Sequence, residues 1–390
     1  MRILVANDGF GDPGGVQVYL NAVTAVLAAR GHELALAYCR ADGAIENVSG
    51  VSRDLPRFRL AGPGAAAGFD AVRRWAPDVC YSHNMDDVDV DRALGRLAPI
   101  VKFMHGYFGT CIGGLKSHRF PAATACERPY GPACAALYFP RRCGQLNPVA
   151  FLRQWRAAES YRSVRDVYST IVVASEHMRR EYVRNGVNPD RVLSNPLFSC
   201  GPLAAEVSPP PEEPHVVFLG RMTALKGGDL LIRAVVDAGA RLGRTLRLTM
   251  IGDGPARGDW EALARRLAVP CTFTGWKSGC DRWTFFRDAS IVAIPSIWPE
   301  PFGLVGLEAG ALGVPAVAVA VGGICEWLHD GVNGVAVPAP AAASAFGRAL
   351  AEALADRARL AALRAGAFRV AREMTVDRHV DRLEAIFAQC

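Results

Sequence analysis

Short apolar runs alternate with helix-forming stretches along this chain, stop at a proline cluster, and then start again. Such alternation marks α/β layers with parallel strands, because each buried strand needs a crossover helix to reach its neighbour. Residues 2–6 read as a first strand, followed by a glycine-rich turn and an amphipathic helix over 16–30 that Gly31 ends. Residues 33–39, 78–82, 100–104 and 169–174 read as further strands, and 176–185 as a helix stopped by Gly186. Around 199–215 the composition turns to Ser-Pro-Pro-Pro-Glu-Glu-Pro, a semi-rigid linker rather than a packed element. The alternation resumes at 216–220 and continues through 246–251, 271–274, 291–294 and 316–319; residues 341–388 are almost all helix formers. The expectation is two Rossmann-like, doubly wound domains facing across a cleft: 1–200, a linker at 201–215, and 216–370. A closing helix at 371–390 is placed to cross back to the first domain. Ligands of such sheets sit at the carboxyl ends of strands.

At 390 residues the chain suits two domains, each with a full core. Half of it is apolar and about a fifth charged, the balance of a globular protein. No stretch supplies the roughly 18–20 uninterrupted apolar residues that a membrane span needs. The opening Met1-Arg2-Ile3-Leu4-Val5-Ala6-Asn7-Asp8 has no signal-peptide core, since polar residues interrupt it at once. A cytoplasmic protein is expected. The net charge of +6 resides wholly in the first 200 residues. A basic first half suits an anionic acceptor or peripheral contact with the acidic face of a membrane, and equally a solvated surface. Nucleic acid is not expected, because no basic stretch is interleaved with aromatics.

Three loops carry candidate chemistry. Gly14-Gly15 stands between the first strand and the first helix, where glycine admits close approach of backbone to a ligand or simply makes a turn. The segment is neither a dinucleotide fingerprint nor a P-loop. Gly220-Arg221-Met222-Thr223-Ala224-Leu225-Lys226-Gly227-Gly228 follows the first strand of the second domain. Arg221 and Lys226 set two cations at a strand's carboxyl end, and such a pair can neutralise a leaving diphosphate without metal. Lysine occupies only four positions against forty arginines, which singles Lys226 out. Gly252-Asp253-Gly254 and Thr274-Gly275 end the next two strands with tight turns. The third loop is the block at 295–326, in which Glu300 and Glu308 bracket Pro-Phe-Gly and Gly-Gly-Ile-Cys-Glu326 follows. If Phe302 starts a helix, Glu300 lies just before its first turn and Glu308 almost two turns inside. Their carboxylates then stand roughly 10 Å apart, with the N–H groups of residues 303–305 between them for a diphosphate.

That block resembles the E-x7-E segment of the retaining, nucleotide-sugar-dependent glycosyltransferases of family 4, which have the GT-B fold. Gly14-Gly15, Ser82-His83-Asn84, His105-Gly106, Gly220-Arg221 with Lys226-Gly227, Gly252-Asp253-Gly254 and Thr274-Gly275 match in order. The resemblance covers most of the chain and is strongest over 216–338. It implies a hexosyl-type transferase in polysaccharide biosynthesis or a related route, with a nucleoside-diphosphate sugar as donor. The acceptor would be a glycan, a lipid-linked sugar or a small metabolite. It implies that Arg221 and Lys226 hold the donor diphosphate, Glu308 the ribose and Glu300 the sugar hydroxyls. Phe302, Gly303 and Leu304 would lend backbone contacts, Gly15 would approach the phosphate, and His105 would stand by the reacting carbon. Gly252, Gly254 and Thr274 complete the donor set. No metal and no cofactor is implied. Where many members carry an Asn-Gly-Val-Asp-like turn, this chain has Ser194-Asn195-Pro196-Leu197.

Residues 106–150, rich in Gly, Pro, Arg and Cys, read as a loop-like acceptor lid. Cys111, Cys126, Cys134 and Cys143 crowd there without a C-x2-C pair. Free, partly buried thiols are expected ahead of disulfides or of a structural metal held with His118. Two other functions fit the donor motifs: a nucleotide-sugar epimerase on the same plan, and a sugar-nucleotide-binding protein without turnover.

Overall fold

The computed structural model describes residues 1–10, 15–40, 55–277 and 281–390. In chain order its strands are β1 (Arg2–Ala6), β2 (Glu33–Tyr38), β3 (Arg57–Arg59), β4 (Val79–Ser82), β5 (Ile100–Met104), β6 (Ser117–His118), β7 (Thr124–Ala125), β8 (Thr170–Val173) and β9 (Val192–Ser194). They continue with β10 (His215–Leu219), β11 (Arg247–Ile251), β12 (Cys271–Gly275), β13 (Ile291–Ile294), β14 (Ala316–Val319) and β15 (Gly334–Val337). One parallel sheet runs β3-β2-β1-β4-β5-β8-β9 and a second runs β12-β11-β10-β13-β14-β15. In each, the chain builds outward on one side and then returns to start the other. The switch points fall between β1 and β4 and between β10 and β13. A crevice outside the carboxyl ends at a switch point is where such sheets take ligands.

The chain divides into two compact units. The first comprises Met1–Lys116, Glu127–Cys200 and Val376–Cys390; the second comprises Ser117–Cys126 and Gly201–Thr375. The proline-rich stretch after residue 200 is tied down within the second unit. Arg364, buried, donates to the Ser208 and Ala289 carbonyls at 3.0 Å, and Arg357 reaches the Pro210 and Pro211 carbonyls at 3.0 and 3.2 Å. The Ala289 carbonyl is buried and needs such a donor, so there the guanidinium substitutes for water.

The segment after Thr375 belongs to the first unit as the helix Val376–Phe387. Its exposed rim is clasped by Arg30, which pairs with Asp377, Asp381 and Glu384 at 2.7–3.3 Å. Its buried face carries His379, Val380 and Leu383. The atypical Asn195-Pro196 turn serves this docking: Asn195 Nδ2 donates to the His379 carbonyl at 3.1 Å.

Several elements were not visible as sequence periodicity. β3 and β9 are three-residue edge strands without a continuous apolar run, and β15 begins at a glycine. The expected loop at 106–150 contains the β6–β7 hairpin and the helix Pro132–Leu137, and the helix Pro148–Ser163 begins at its end. Asn147 caps the latter, accepting from Val149 N at 2.8 Å, with Pro148 at the first helical position. Gly14 lies outside the described residues.

Candidate functional site

A cluster of polar side chains sits at the switch point of the second unit. The loop after β10 makes a single turn over Ala224–Lys226 and is then bent by Gly227, in the left-handed region at φ +68°. A Cβ there would stand 2.1 Å from the Pro295 carbonyl, so only glycine lets this loop lie against the one after β13. Ile297 and Trp298 N–H groups donate to the Leu225 carbonyl at 2.8 and 3.2 Å, lacing the two loops together. Lys226 Nζ thereby reaches Glu300 Oε1 at 2.5 Å and sits 4.9 Å above the Trp298 ring. Ser296 Oγ donates to the same carboxylate oxygen at 2.9 Å. Glu300 is buried and Lys226 half-buried, so the ammonium is the charge partner that makes the carboxylate's burial tolerable.

Glu308 lies beyond a second glycine device. Gly303 takes φ +81° and delays the helix, which runs Leu304–Gly310 rather than starting at Phe302. Glu308 is therefore little more than one turn inside, not two. It is buried, and Arg282 Nη2 lies 3.2 Å from its Oε1 while stacking on Trp283 at 4.1 Å. Burial pushes the Glu308 carboxyl up to about 7, with Arg282 pulling the other way. The helix packs on Trp327, whose indole N–H donates to the Phe302 carbonyl at 2.9 Å; a Cβ on Gly306 would fall 2.0 Å from that ring. Gly306 N–H turns back to the Gly303 carbonyl at 3.4 Å and closes the first turn.

Gly322 and Gly323 close the arrangement. A Cβ on Gly322, at φ +63°, would meet the Glu300 carbonyl at 2.4 Å, and one on Gly323 the Pro301 carbonyl at 2.2 Å. Gly323 N–H donates to the Glu300 carbonyl at 2.7 Å. These glycines fix the backbone that carries Glu300. Gly252 and Gly254 have a similar internal reason: their Cβ positions are taken by the Gly220 and Met222 carbonyls at 2.1 and 2.4 Å. Thr274 turns its hydroxyl to the Gly275 carbonyl at 3.0 Å. Arg221 is exposed and makes no ion pair among the described residues.

In the first unit, His83 and His105 follow the adjacent strands β4 and β5, and His83 Nδ1 is 3.0 Å from His105 Nε2. Tyr19, from the helix Gly15–Ala29, packs its ring edge-on to both. Its hydroxyl lies 2.7 Å from His379 Nε2 and 2.5 Å from the Tyr81 hydroxyl. His379 Nδ1 is 2.8 Å from the Pro196 carbonyl. A carbonyl only accepts, so neutral His379 carries its proton on Nδ1, accepts a hydrogen bond from the Tyr19 hydroxyl on Nε2, and leaves Tyr19 to accept from Tyr81. Burial lowers His379 to about 4, Arg382 adding and the Pro196 contact opposing. Burial, with Lys102 and His379 adding, lowers His105 to about 3. Burial, with His105, Lys102 and His379 adding, holds His83 well below the usual value. Beneath them the buried Lys102 pairs with Asp91 at 2.7 Å, and Ser82 and Tyr168 complete the carboxylate's contacts. Gly15 opens its helix, and a Cβ there would meet nothing within 4 Å.

The structure thus brings Lys226, Glu300, Phe302, Gly303, Leu304 and Glu308 onto neighbouring elements of the second unit, with His105 and Gly15 in the first. Sequence reading did not single out Ser296, Trp298, Arg282, Tyr19, Tyr81 or His379. Trp298 and Ser296 lay inside the highlighted block, but the others are recruited from distant stretches with no motif. Cys111, Cys126, Cys134 and Cys143 are half-buried thiols outside any disulfide, Cys134 and Cys143 turning their sulfurs to the Pro129 and Leu137 carbonyls at 3.8 and 3.9 Å. Among the described residues no group of three or more His, Cys, Asp or Glu is arranged to hold a metal, and no helix is long and apolar enough to cross a membrane.

Residues 203–370 match the family described as glycosyl transferases group 1. A D-inositol 3-phosphate glycosyltransferase of Salinispora tropica is 37% identical over 191 residues, 46% of this chain and 39% of that protein. An uncharacterized glycosyltransferase of Methanocaldococcus jannaschii is 38% identical over 126 residues, 32% of either chain. The matched stretches span well under half the length of these curated relatives. Anabaena HepE in complex with UDP-glucose superposes with a TM-score of 0.68 at 17% identity, covering 100% of both chains. A glycosyltransferase from Rickettsia africae gives 0.71 at 14% identity, covering 100% of this chain and 98% of that one. The fold is GT-B, with two Rossmann-like domains, and the match to the glycosyl transferases group 1 family lies within the second unit.

Proposed function

We propose that this protein is a retaining hexosyltransferase of family 4 that moves a sugar from a nucleoside-diphosphate sugar to an acceptor hydroxyl, without a metal. The observation that carries this reading is the Lys226–Glu300 contact at a strand switch point, inside the stretch that matches the group 1 family. Each partner holds the other in a form suited to the donor. When the donor enters, its diphosphate takes the Lys226 ammonium and its sugar hydroxyls take the Glu300 carboxylate. Arg221 and the N–H groups at the start of the helix Leu304–Gly310 add to the phosphate contacts, and Glu308 takes the ribose hydroxyls.

In the transfer, the acceptor oxygen bonds to the anomeric carbon on the face the diphosphate leaves. The carbon–oxygen bond to phosphate breaks with its electron pair staying on phosphate, and a leaving phosphate oxygen takes the acceptor's proton. Lys226 and Arg221 stabilise the charge that develops there. His105, neutral across the physiological range, is proposed as a hydrogen-bonding contact to the sugar rather than a proton source. The acceptor is a glycan, a lipid-linked sugar or a metabolite; inositol phosphate is a sensible first trial, given the name of the Salinispora relative.

A panel of UDP-, GDP- and ADP-sugars, beginning with UDP-glucose, tests the reading by calorimetry and by product analysis. Donor binding, transfer with retained anomeric configuration, and turnover undiminished by EDTA are expected. Absence of binding to every donor would sink it. A free sugar isomer formed without acceptor would mark an epimerase instead.

A further inference from the structure

Thirteen large apolar side chains are exposed among the described residues, and five of them, Phe139, Leu146, Val149, Leu152 and Trp155, fall within residues 139–155. Single exposed apolar groups are ordinary, whereas a concentration of them marks a surface that something covers. Val149, Leu152 and Trp155 recur every third residue of the helix Pro148–Ser163, so they share its outer side, with Arg153 and Arg156 exposed among them. Ala150 and Ala158 lie buried on the inner side.

The aromatic members are held firmly. The Phe139 and Phe151 ring centres are 5.4 Å apart, and Phe151 and Trp155 are 5.7 Å apart. Fully buried Tyr138 supports them from beneath, 5.1 Å from Phe139 and 4.8 Å from Phe151. Exposed rings fixed in this way present a ready apolar face instead of folding inward. Along residues 128–158 the charge has one sign. No Asp or Glu occurs between Glu127 and Glu159, while Arg128, Arg141, Arg142, Arg153 and Arg156 do. Glu159 itself is engaged by the Tyr130 hydroxyl and by the Trp155 indole N–H at 3.3 Å.

We propose that the helix Pro148–Ser163 and the loop before it form a docking face for an anionic phospholipid surface. Apolar and aromatic side chains entering the acyl boundary, with arginine stems rising to the phosphates, are what an interfacial helix needs. A helix of 16 residues lying flat would span about 24 Å of that surface. A second copy of this chain is the poorer occupant, because a two-fold contact would set these arginines against the same arginines.

The test uses the full chain and does not depend on any transfer reaction. It is sedimented with vesicles of phosphatidylcholine, alone or mixed with phosphatidylglycerol. Binding to the mixed vesicles alone is expected, weakening as salt rises. The triple variant Val149→Ser, Leu152→Ser, Trp155→Ser should bind at least about tenfold more weakly, and Arg153→Gln with Arg156→Gln should erase the preference for anionic lipid. All five side chains lie on the outer side, so native circular dichroism is expected of both variants, with a lowered thermal midpoint only for the triple variant, which loses the Trp155 contacts with Phe151 and Glu159. Brominated lipid in the mixed vesicles reads the contact with no substitution at all: quenching of tryptophan emission is expected. No binding to mixed vesicles, no quenching, or undiminished binding by the triple variant overturns the proposal. So does a wild-type dimer that the triple variant dissolves while vesicles go unbound, which would make this a face between copies.

Discussion

Lys226 and Glu308 are the residues whose chemistry can be tested most directly. Removing the Lys226 ammonium takes away a charge-assisted contact to the donor diphosphate and leaves Glu300 buried without its cation. Lys226→Ala should therefore weaken donor binding by roughly ten- to a hundredfold, the effect of losing about 1.5–3 kcal/mol. Titration calorimetry with UDP-glucose checks it, and unchanged affinity would remove Lys226 from the donor site. For Glu308 the folded pKa, about 7, lies above the ordinary value of 4.5. Between these values the unfolded chain is ionised while the folded one keeps its proton, so stability is lost as pH rises through that window. The amount is about 3 kcal/mol. Glu308→Gln should flatten urea-unfolding stability across that range, and a slope equal to the wild type's would contradict the assignment. If the ionised carboxylate takes the ribose, donor affinity in the wild type should rise as pH passes 7.

At the scale of elements, function rests on how loops are pinned. The sequence showed the strand-end loops through their glycines, and it showed the Glu300–Glu308 block because its residue pattern is dense. It did not show why the glycines are there. Gly322 reads as part of a motif ending in Glu326, yet its place is dictated by the Glu300 backbone it abuts. Gly322→Ala should weaken donor binding at least about tenfold by displacing Glu300, the added Cβ meeting backbone that cannot yield cheaply. Circular dichroism should stay native, and undiminished affinity would show that the loop yields. Arg282 and Ser296 were not legible, since a lone arginine on a short helix and a serine in a loop acquire meaning only from the neighbours that folding supplies. The edge strands β3 and β9 escaped for a related reason: three residues, of which only Val192 is buried, carry too little hydrophobic pattern to announce a strand.

On the scale of the whole molecule, His105 and His379 in the first unit and Glu308 in the second respond to acid in opposite senses, with buried His215 of the second unit, lowered by its burial, siding with the histidines. His105 and His379, at about 3 and about 4, lie below the ordinary histidine value of 6.5. Their contribution is fully present above pH 6.5 and is lost as pH falls toward those values, because the unfolded chain binds protons that the folded one refuses. Glu308 works the other way in the second unit over 4.5 to 7. Hydrogen exchange at pH 7 and pH 5, corrected for intrinsic rate, should show protection in β1, β4 and β5 falling relative to β14 and the helix Leu304–Gly310 that carries Glu308. Equal changes in both units would refute the histidine account. His379→Leu should destabilise the first unit by about 1–3 kcal/mol in urea, since it leaves the buried Tyr19–Tyr81 hydroxyl pair one acceptor short. The two-domain α/β plan was legible in the sequence because it repeats over hundreds of residues, whereas the contacts of His379 with Tyr19 join positions 360 apart. That long join has a consequence for biosynthesis. The first unit lacks its closing helix until the intervening Gly201–Thr375 has been translated. At about 5–20 residues per second, the interval is roughly ten to thirty-five seconds. Through it, the groove that receives Val376–Phe387 stands open on the nascent chain, an apolar invitation to chaperones.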